Sequence, residues 1–320
     1  MSSAPTLQNA SHSAITPRID ATRSETQPGD PMLEINVDTF RAEFNRYAFK
    51  VRHRLAGDPL FSIPSLIDLS KRLPEESIKY NSGGIPVGTG LYEAPQTGLS
   101  KEETLRHIQD CKSWMVLKNV EQVPEYAELL NGCLDVAEPL CIAAGYGMFK
   151  REAFIFVSSP GSVTPFHIDP EHNFLLQVRG RKTISILDRV ARPLLQEEEF
   201  EDFFTNSHYS PEFKEEYKGA ASRFDLDPGE GLHFPVTTLH WVENGDEVSV
   251  SLSITFRSVQ AERRGIIYEV NHKLREWGIN PSPYGSAPAR DSAKYFAFRA
   301  LRRTRNLIGR FRNEPTESKY

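Results

Sequence analysis

Val248-Ser-Val-Ser-Leu-Ser-Ile-Thr-Phe256 alternates apolar and hydroxyl residues without a break. A strict period of two is the signature of a half-buried strand, because successive side chains point to opposite faces. Outward from it the chain reads as more strands. Gly231 to Pro235 and His240 to Val242 are short ones, and Phe154-Ile-Phe-Val157 is an apolar one followed by a turn over Ser158 to Ser162. Asn173 to Val178 and Lys182 to Leu187 flank Arg179-Gly180-Arg181, which predicts a hairpin. Leu194 to Lys218 is acidic and aromatic and is expected to be a helical insertion. Farther upstream, Trp114-Met-Val-Leu117 predicts a buried strand and Tyr126 to Ala144 one or two helices. Ser100 with Glu103 forms a capping-box pattern that opens a short helix over Lys101 to Asp110. Tyr80 to Gly98, rich in glycine and proline, reads as a long irregular loop. After Arg263 the pattern turns helical again. The expected fold is mainly β with flanking helices.

Four regions follow. Residues 1 to about 31 are rich in Ser, Thr, Ala, Pro and Gln and cannot bury enough apolar surface to offset their ordering entropy, so a disordered tail is expected. Residues 32–145 form a helical and strand region packing on a barrel. Residues 146–258 are that barrel, with the insertion near 194–218, and 259–320 are a helical C-terminal region.

The chain has 320 residues, 39% hydrophobic and 25% charged, which suits a globular protein. A net charge of −5 gives no general reason to expect nucleic acid or an anionic membrane as partner. Cys111, Cys133 and Cys141 are too few and too scattered for a disulfide framework or a zinc ribbon. No apolar run follows basic residues at the N-terminus and no stretch approaches the ~20 apolar residues of a membrane helix. A cytoplasmic, reducing location is expected.

The chemistry concentrates in Thr164-Pro-Phe-His-Ile-Asp169. Two potential ligands one residue apart lie on the same side of an extended strand, so a His167 nitrogen and an Asp169 oxygen can share a metal. His240 closes a turn-and-strand segment that starts at Pro228 and supplies a third ligand. Two histidines and one carboxylate on one face leave other octahedral positions open, the facial triad of non-haem Fe(II) oxygenases. Taken alone the triplet is weak, since nine histidines make a chance His-x-Asp common, and a single histidine is more often structural. Lys182 adds to it. A lysine at a barrel strand position is costly to bury unless an anion meets it. The distal carboxylate of 2-oxoglutarate is such an anion, with Thr164 as a second donor. The competing reading is a lysine that snorkels to the barrel rim.

Thr164-Pro-Phe-His-Ile-Asp-Pro-Glu-His-Asn173, Gln177-Val-Arg-Gly-Arg-Lys182, Leu232-His-Phe-Pro235 and His240 together resemble jumonji-C-type oxygenases, in particular the group of the asparaginyl hydroxylase that inhibits hypoxia-inducible factor. The resemblance covers roughly residues 145–257. It implies a double-stranded β-helix of jelly-roll, cupin-like type that uses Fe(II), 2-oxoglutarate and O2. It implies His167, Asp169 and His240 as metal ligands, Lys182 and Thr164 as binders of the distal carboxylate, and Asn173 as a polar residue beside the cosubstrate. Ser253 or Thr255 stands where the family often has a further asparagine. The tyrosine that helps hold 2-oxoglutarate is one of Tyr80, Tyr92, Tyr126 and Tyr146.

Other features carry less. His233 is expected to be a barrel-wall side chain and His172 to face solvent. The acidic run Gln196 to Asp202 reads as a solvated helix face or a lid edge. Seven basic groups between Lys294 and Arg312 lie on an amphipathic pattern that suits packing on the barrel or on a second subunit more than a nucleic-acid or membrane surface. The resemblance, whose members often dimerise through C-terminal helices, implies a possible homodimer. The expected function is an Fe(II)/2-oxoglutarate-dependent dioxygenase that hydroxylates a protein side chain, a peptide or a small metabolite. The alternatives are a metal-binding cupin with non-oxygenase chemistry and a catalytically silent jumonji-like regulator.

Overall fold

The computed structural model describes residues 31–90, 93–187, 195–206 and 208–311, with backbone alone for 304–311. The expected disordered tail, apart from Pro31, and Tyr92 lie outside these residues, as does Arg312 of the basic run. The strands are β1 Leu33–Glu34, β2 Phe49–His53, β3 Ile78–Ser82, β4 Ser113–Lys118, β5 Phe149–Ser158 and β6 Val163–His167, followed by β7 His172–Arg179, β8 Lys182–Ile186, β9 Ser222–Leu226, β10 Glu230–Phe234, β11 His240–Asn244 and β12 Ser249–Arg257. The helices are α1 Val37–Glu43, α2 Ile63–Arg72, α3 Lys101–Arg106, α4 Pro124–Ala143, α5 Glu197–Thr205, α6 Glu216–Ala220, α7 Val259–Glu276 and α8 Pro288–Phe311.

Two antiparallel sheets form, in the orders β1-β2-β10-β7-β12-β5-β4-β3 and β6-β11-β8-β9. Residues from both line one cavity, so the sheets face each other as in a jelly roll. The N-terminal region extends the larger sheet at both ends, through β1 and β2 on one side and β3 and β4 on the other. Between the sheets, Leu175, Ile184, Ile186, Leu226, Leu232, Phe234 and Val242 form a buried cluster. On the other face of the large sheet, Val250, Leu252, Ile254 and Phe256 of β12 join Leu130, Leu134 and Ala137 of α4 in the main core. Each such large side chain contributes about 1.5–3 kcal/mol by its burial.

The expected hairpin at Arg179-Gly180-Arg181 does not form. β7 belongs to the large sheet and β8 to the small one, so this turn carries the chain across the sandwich. Gly180 has φ +69°, and a Cβ there would sit 2.5 Å from the Val248 carbonyl oxygen. Turn composition alone does not tell a hairpin from a crossover. β12 differs too. Its hydroxyl face is not solvated: Ser249, Ser251, Ser253 and Thr255 are at most 5% exposed. They face the space between the sheets, where Ser251 donates to Gln177 and Ser253 to Asn173.

The helical expectations for Lys101 to Asp110 and Tyr126 to Ala144 match α3, whose capping box forms, and the single helix α4. Among the acids of α5, Glu198 and Asp202 are exposed as expected, while Glu201 is buried and accepts from Arg275 of α7 at 2.8 Å. Among the described residues no helix is long and apolar enough to cross a membrane.

Candidate metal centre

β6 and β11 are antiparallel neighbours, and their register sets His240 directly opposite His167. Opposed residues on paired strands bring their side chains within about 5 Å. The two imidazoles lie with centroids 4.1 Å apart, their planes inclined by 50°. Asp169 follows β6 closely enough to turn its carboxylate back onto the pair: Asp169 Oδ2 is 4.0 Å from His167 Nε2 and 3.7 Å from His240 Nε2. Its backbone carbonyl accepts from Thr237 N at 2.8 Å, which ties the turn after β6 to the turn before β11. One ligand atom from each of His167, Asp169 and His240 lies within 4.8 Å of the other two.

The hydrogen bonds at these rings suit a metal. His167 Nδ1 lies 2.6 Å from the Pro165 carbonyl and His240 Nδ1 2.9 Å from that of Thr238. A carbonyl can only accept, so each Nδ1 carries the proton and each Nε2 lone pair is left for a metal. Burial pulls the His240 imidazole down to about 4, the nearby His167 adds to this, and Asp169 opposes it. His240 is therefore neutral near pH 7, the form a metal requires. Phe234 packs on the ring at 4.7 Å.

Lys182, Thr164 and Asn173 line the same cavity as the triad. Lys182 opens β8 opposite Asn244 of β11, four residues along from His240. That is about 13 Å at the strand rise, a gap that an extended lysine side chain and a five-carbon dicarboxylate together span. Lys182 is 5% exposed, and burial pulls its ammonium down to about 7. Among the described residues no carboxylate pairs with it. Asn173 is fixed by Ser253, whose hydroxyl donates to Oδ1 at 2.8 Å.

A larger cavity, about 620 Å³, opens outward from His167, Asp169 and Thr164 along the large sheet. Tyr80 lines it, whereas Tyr126 donates to Leu60 O and Tyr146 packs against Phe44 and His172 elsewhere. Ser253 and Thr255 both line it. So do Lys79, Lys118, Trp114 and Glu171, which sequence reasoning did not single out. Glu171 was within reach, two residues past Asp169. The others stand on strands before residue 145, outside the motif-bearing span.

His172 does not face solvent. It is fully buried, stacked on Phe256 and Phe44, with Nε2 3.0 Å from Ser258 Oγ. Alternation along β7 turns it, with Phe174 and Leu176, to the helix-covered face opposite Asn173. His233 is a buried wall residue on that same face, stacked on Phe44 with Nδ1 2.9 Å from Asn173 O.

Known proteins resemble the chain in both sequence and structure. JmjC domain-containing protein D of Dictyostelium discoideum is 30% identical over 145 residues, covering 43% of this chain and 31% of that protein. This chain thus spans about a third of that relative's length. The Escherichia coli ribosomal oxygenase YcfD superposes with a TM-score of 0.47 at 16% identity, covering 90% of this chain and 69% of that one. The structure of YcfD with cobalt and 2-oxoglutarate gives 0.46 at 16% identity, covering 85% and 68%. The family model described as "Cupin-like domain" matches residues 100–262, just over half of the chain. That span contains β5 to β12, both faces of the sandwich and all three members of the His-Asp-His cluster. The chain belongs to the cupin-like domain family.

Proposed function

We propose that this protein is an Fe(II)- and 2-oxoglutarate-dependent oxygenase that hydroxylates its substrate. The observation that carries the reading is the company Lys182 keeps: a buried ammonium with no carboxylate partner among the described residues, in one cavity with a His-Asp-His cluster. A buried cation without an anion is strongly unfavourable. A dicarboxylate that reaches from the metal to Lys182 removes that cost.

In this reading His167 and His240 hold the iron through Nε2 and Asp169 through its carboxylate, leaving coordination positions open. When bound, the iron supplies oxygen activation, coupled to oxidative decarboxylation of 2-oxoglutarate to succinate and CO2. The chain's own residues bind and orient. Lys182 and Thr164 donate to the distal carboxylate, and Asn173, held by Ser253, borders the cosubstrate. The carbonyls of Pro165 and Thr238 keep both imidazoles in the ligating tautomer. Phe234 and Val242 exclude water from the floor of the site. The substrate enters through the outer cavity, and a protein side chain, a peptide and a small metabolite all suit it.

A cupin with other metal chemistry has no need of Lys182 with Thr164, and a silent regulator has no need of an intact ligand set. Purified protein with Fe(II), ascorbate and O2 should convert 2-oxoglutarate to succinate, with turnover lost in Lys182→Ala. A wild type that neither binds nor consumes 2-oxoglutarate would move the assignment to non-oxygenase cupin chemistry.

A further inference from the structure

The outer cavity carries a charge arrangement that neither the metal nor 2-oxoglutarate accounts for. Lys79 on β3 and Lys118 on β4 both line it, and Lys79 lies within hydrogen-bond reach of Lys118. Like charges held side by side on neighbouring strands destabilise a sheet. Lys118 is half-buried, and burial first, then Lys79, pulls its ammonium down to about 8. Glu171 is the acid whose field reaches Lys118, and it opposes that fall. Glu171 is already engaged, however, at 2.9 Å from Arg257. Among the described residues no carboxylate forms an ion pair with Lys118. At the far end of the same strand, Trp114 lines the cavity with its indole Nε1 buried and without an acceptor.

Strand register sets this cationic rim relative to the strand that carries Asn173. Lys118 pairs with Phe154, Phe154 with Ser253, and Ser253 with Leu175. The row crosses three strand spacings, about 14 Å, from the lysine pair to the strand that carries Asn173. We propose that this cavity selects a substrate bearing a carboxylate or phosphate, seated against Lys79 and Lys118 with its reacting carbon turned toward His167 and Asp169. The inference rests on the oxygenase reading for its orientation, because that reading makes the cavity the substrate chamber. An anion there relieves the lysine contact, and the apolar wall of Phe154 takes the carbon skeleton. At about 620 Å³ the space is that of a small-molecule site.

The test is calorimetric titration of the full chain loaded with Mn(II) and 2-oxoglutarate under nitrogen, so that Lys182 is already engaged. The probes are phenyl phosphate, phenylacetate and neutral phenylacetamide. An anion should bind at least about tenfold more tightly than phenylacetamide. Lys79→Gln and Lys118→Gln should each remove about a factor of ten while leaving 2-oxoglutarate and phenylacetamide binding unchanged. Tighter phenyl phosphate assigns the group to a phosphate ester, and tighter phenylacetate to a carboxylic acid. Equal affinity for charged and neutral probes, no anion binding, or full anion affinity in the double variant overturns the proposal. Loss of 2-oxoglutarate uptake by the wild type would be read in a separate titration and would count against the oxygenase reading.

Discussion

Two pairs of histidines sit on adjoining strands of this sandwich, and only one suits a metal. His167 and His240 face the space between the sheets, with both Nδ1 atoms committed to backbone carbonyls and a carboxylate within 4.0 Å. His172 and His233 lie on the opposite face of the large sheet in a stack with Phe44 and Phe256, and among the described residues no carboxylate pairs with them. Each of the latter leaves one buried nitrogen without a hydrogen bond, Nδ1 of His172 and Nε2 of His233. The same side chain is thus a candidate ligand or a core aromatic according to strand parity and the polarity of the face it meets. Burial alone does not separate them, since three of the four are at most 3% exposed.

The largest effect should come from breaking the first pair. His167→Ala or His240→Ala should abolish metal-dependent turnover while far-UV circular dichroism and the unfolding midpoint stay near wild type. Metal content by mass spectrometry checks it; a variant that kept its metal and full turnover would show that its histidine is not a ligand. His172→Phe with His233→Phe should do the reverse, keeping metal and turnover.

Next in size is Lys182→Ala. Losing one partner of a buried ion pair costs roughly 3–5 kcal/mol, so 2-oxoglutarate should bind about two to four orders of magnitude more weakly. Fe(II) affinity without cosubstrate should not change. Lys182→Arg should fall between, because the planar fork is longer than the ammonium it replaces. Anaerobic titration reads both.

The second pair has its own signature in acid. Burial pulls His172 down to about 4 and His233 to about 3. Both start from an ordinary value near 6.5, so the unfolded chain takes up protons first as pH falls. Stability is therefore intact above about pH 6.5 and declines from there to about pH 4 for His172 and about pH 3 for His233, by on the order of 3 and 5 kcal/mol respectively. The Phe double variant should flatten this limb of a plot of Tm against pH. His53 and His240 are depressed as well and would keep part of the slope. The smallest effect is expected for Ser253→Ala, which frees Asn173. One hydrogen bond is worth about 1 kcal/mol, so KM for 2-oxoglutarate should rise by a few fold.

The grouping of His167 with His240 follows from the register between β6 and β11, and Lys182 was legible as a lysine on a barrel strand, whereas Asp169 lies past the end of β6 and is brought in by the turn that Thr237 holds. The strand at Val248 to Phe256 was legible as a strand but not as to its faces. Alternation shows that one side is polar, and the sequence does not tell whether water or an internal cavity lies there. The turn at Gly180 had the composition of a hairpin while switching sheets, a choice made by the packing of β8 against β11. Lys79 and Lys118 lay hidden because each is unremarkable in its own strand. They become a site only when β3 and β4 extend the large sheet beyond the family's motif-bearing strands.

The buried Lys182 has a consequence for proton bookkeeping. With its ammonium pulled down to about 7, a good share of the chains carry a neutral amine there at pH 7 and above. If 2-oxoglutarate seats on Lys182 as proposed, its carboxylate needs the charged form, so binding draws a proton from solvent. The apparent affinity for 2-oxoglutarate should fall as pH rises past 7, approaching tenfold for each further pH step of one. Binding heats should then differ between buffers of unlike ionisation enthalpy, with up to one proton taken up per molecule bound. On the oxygenase reading, cosubstrate capture would act as a small pH meter, read at a group away from the metal.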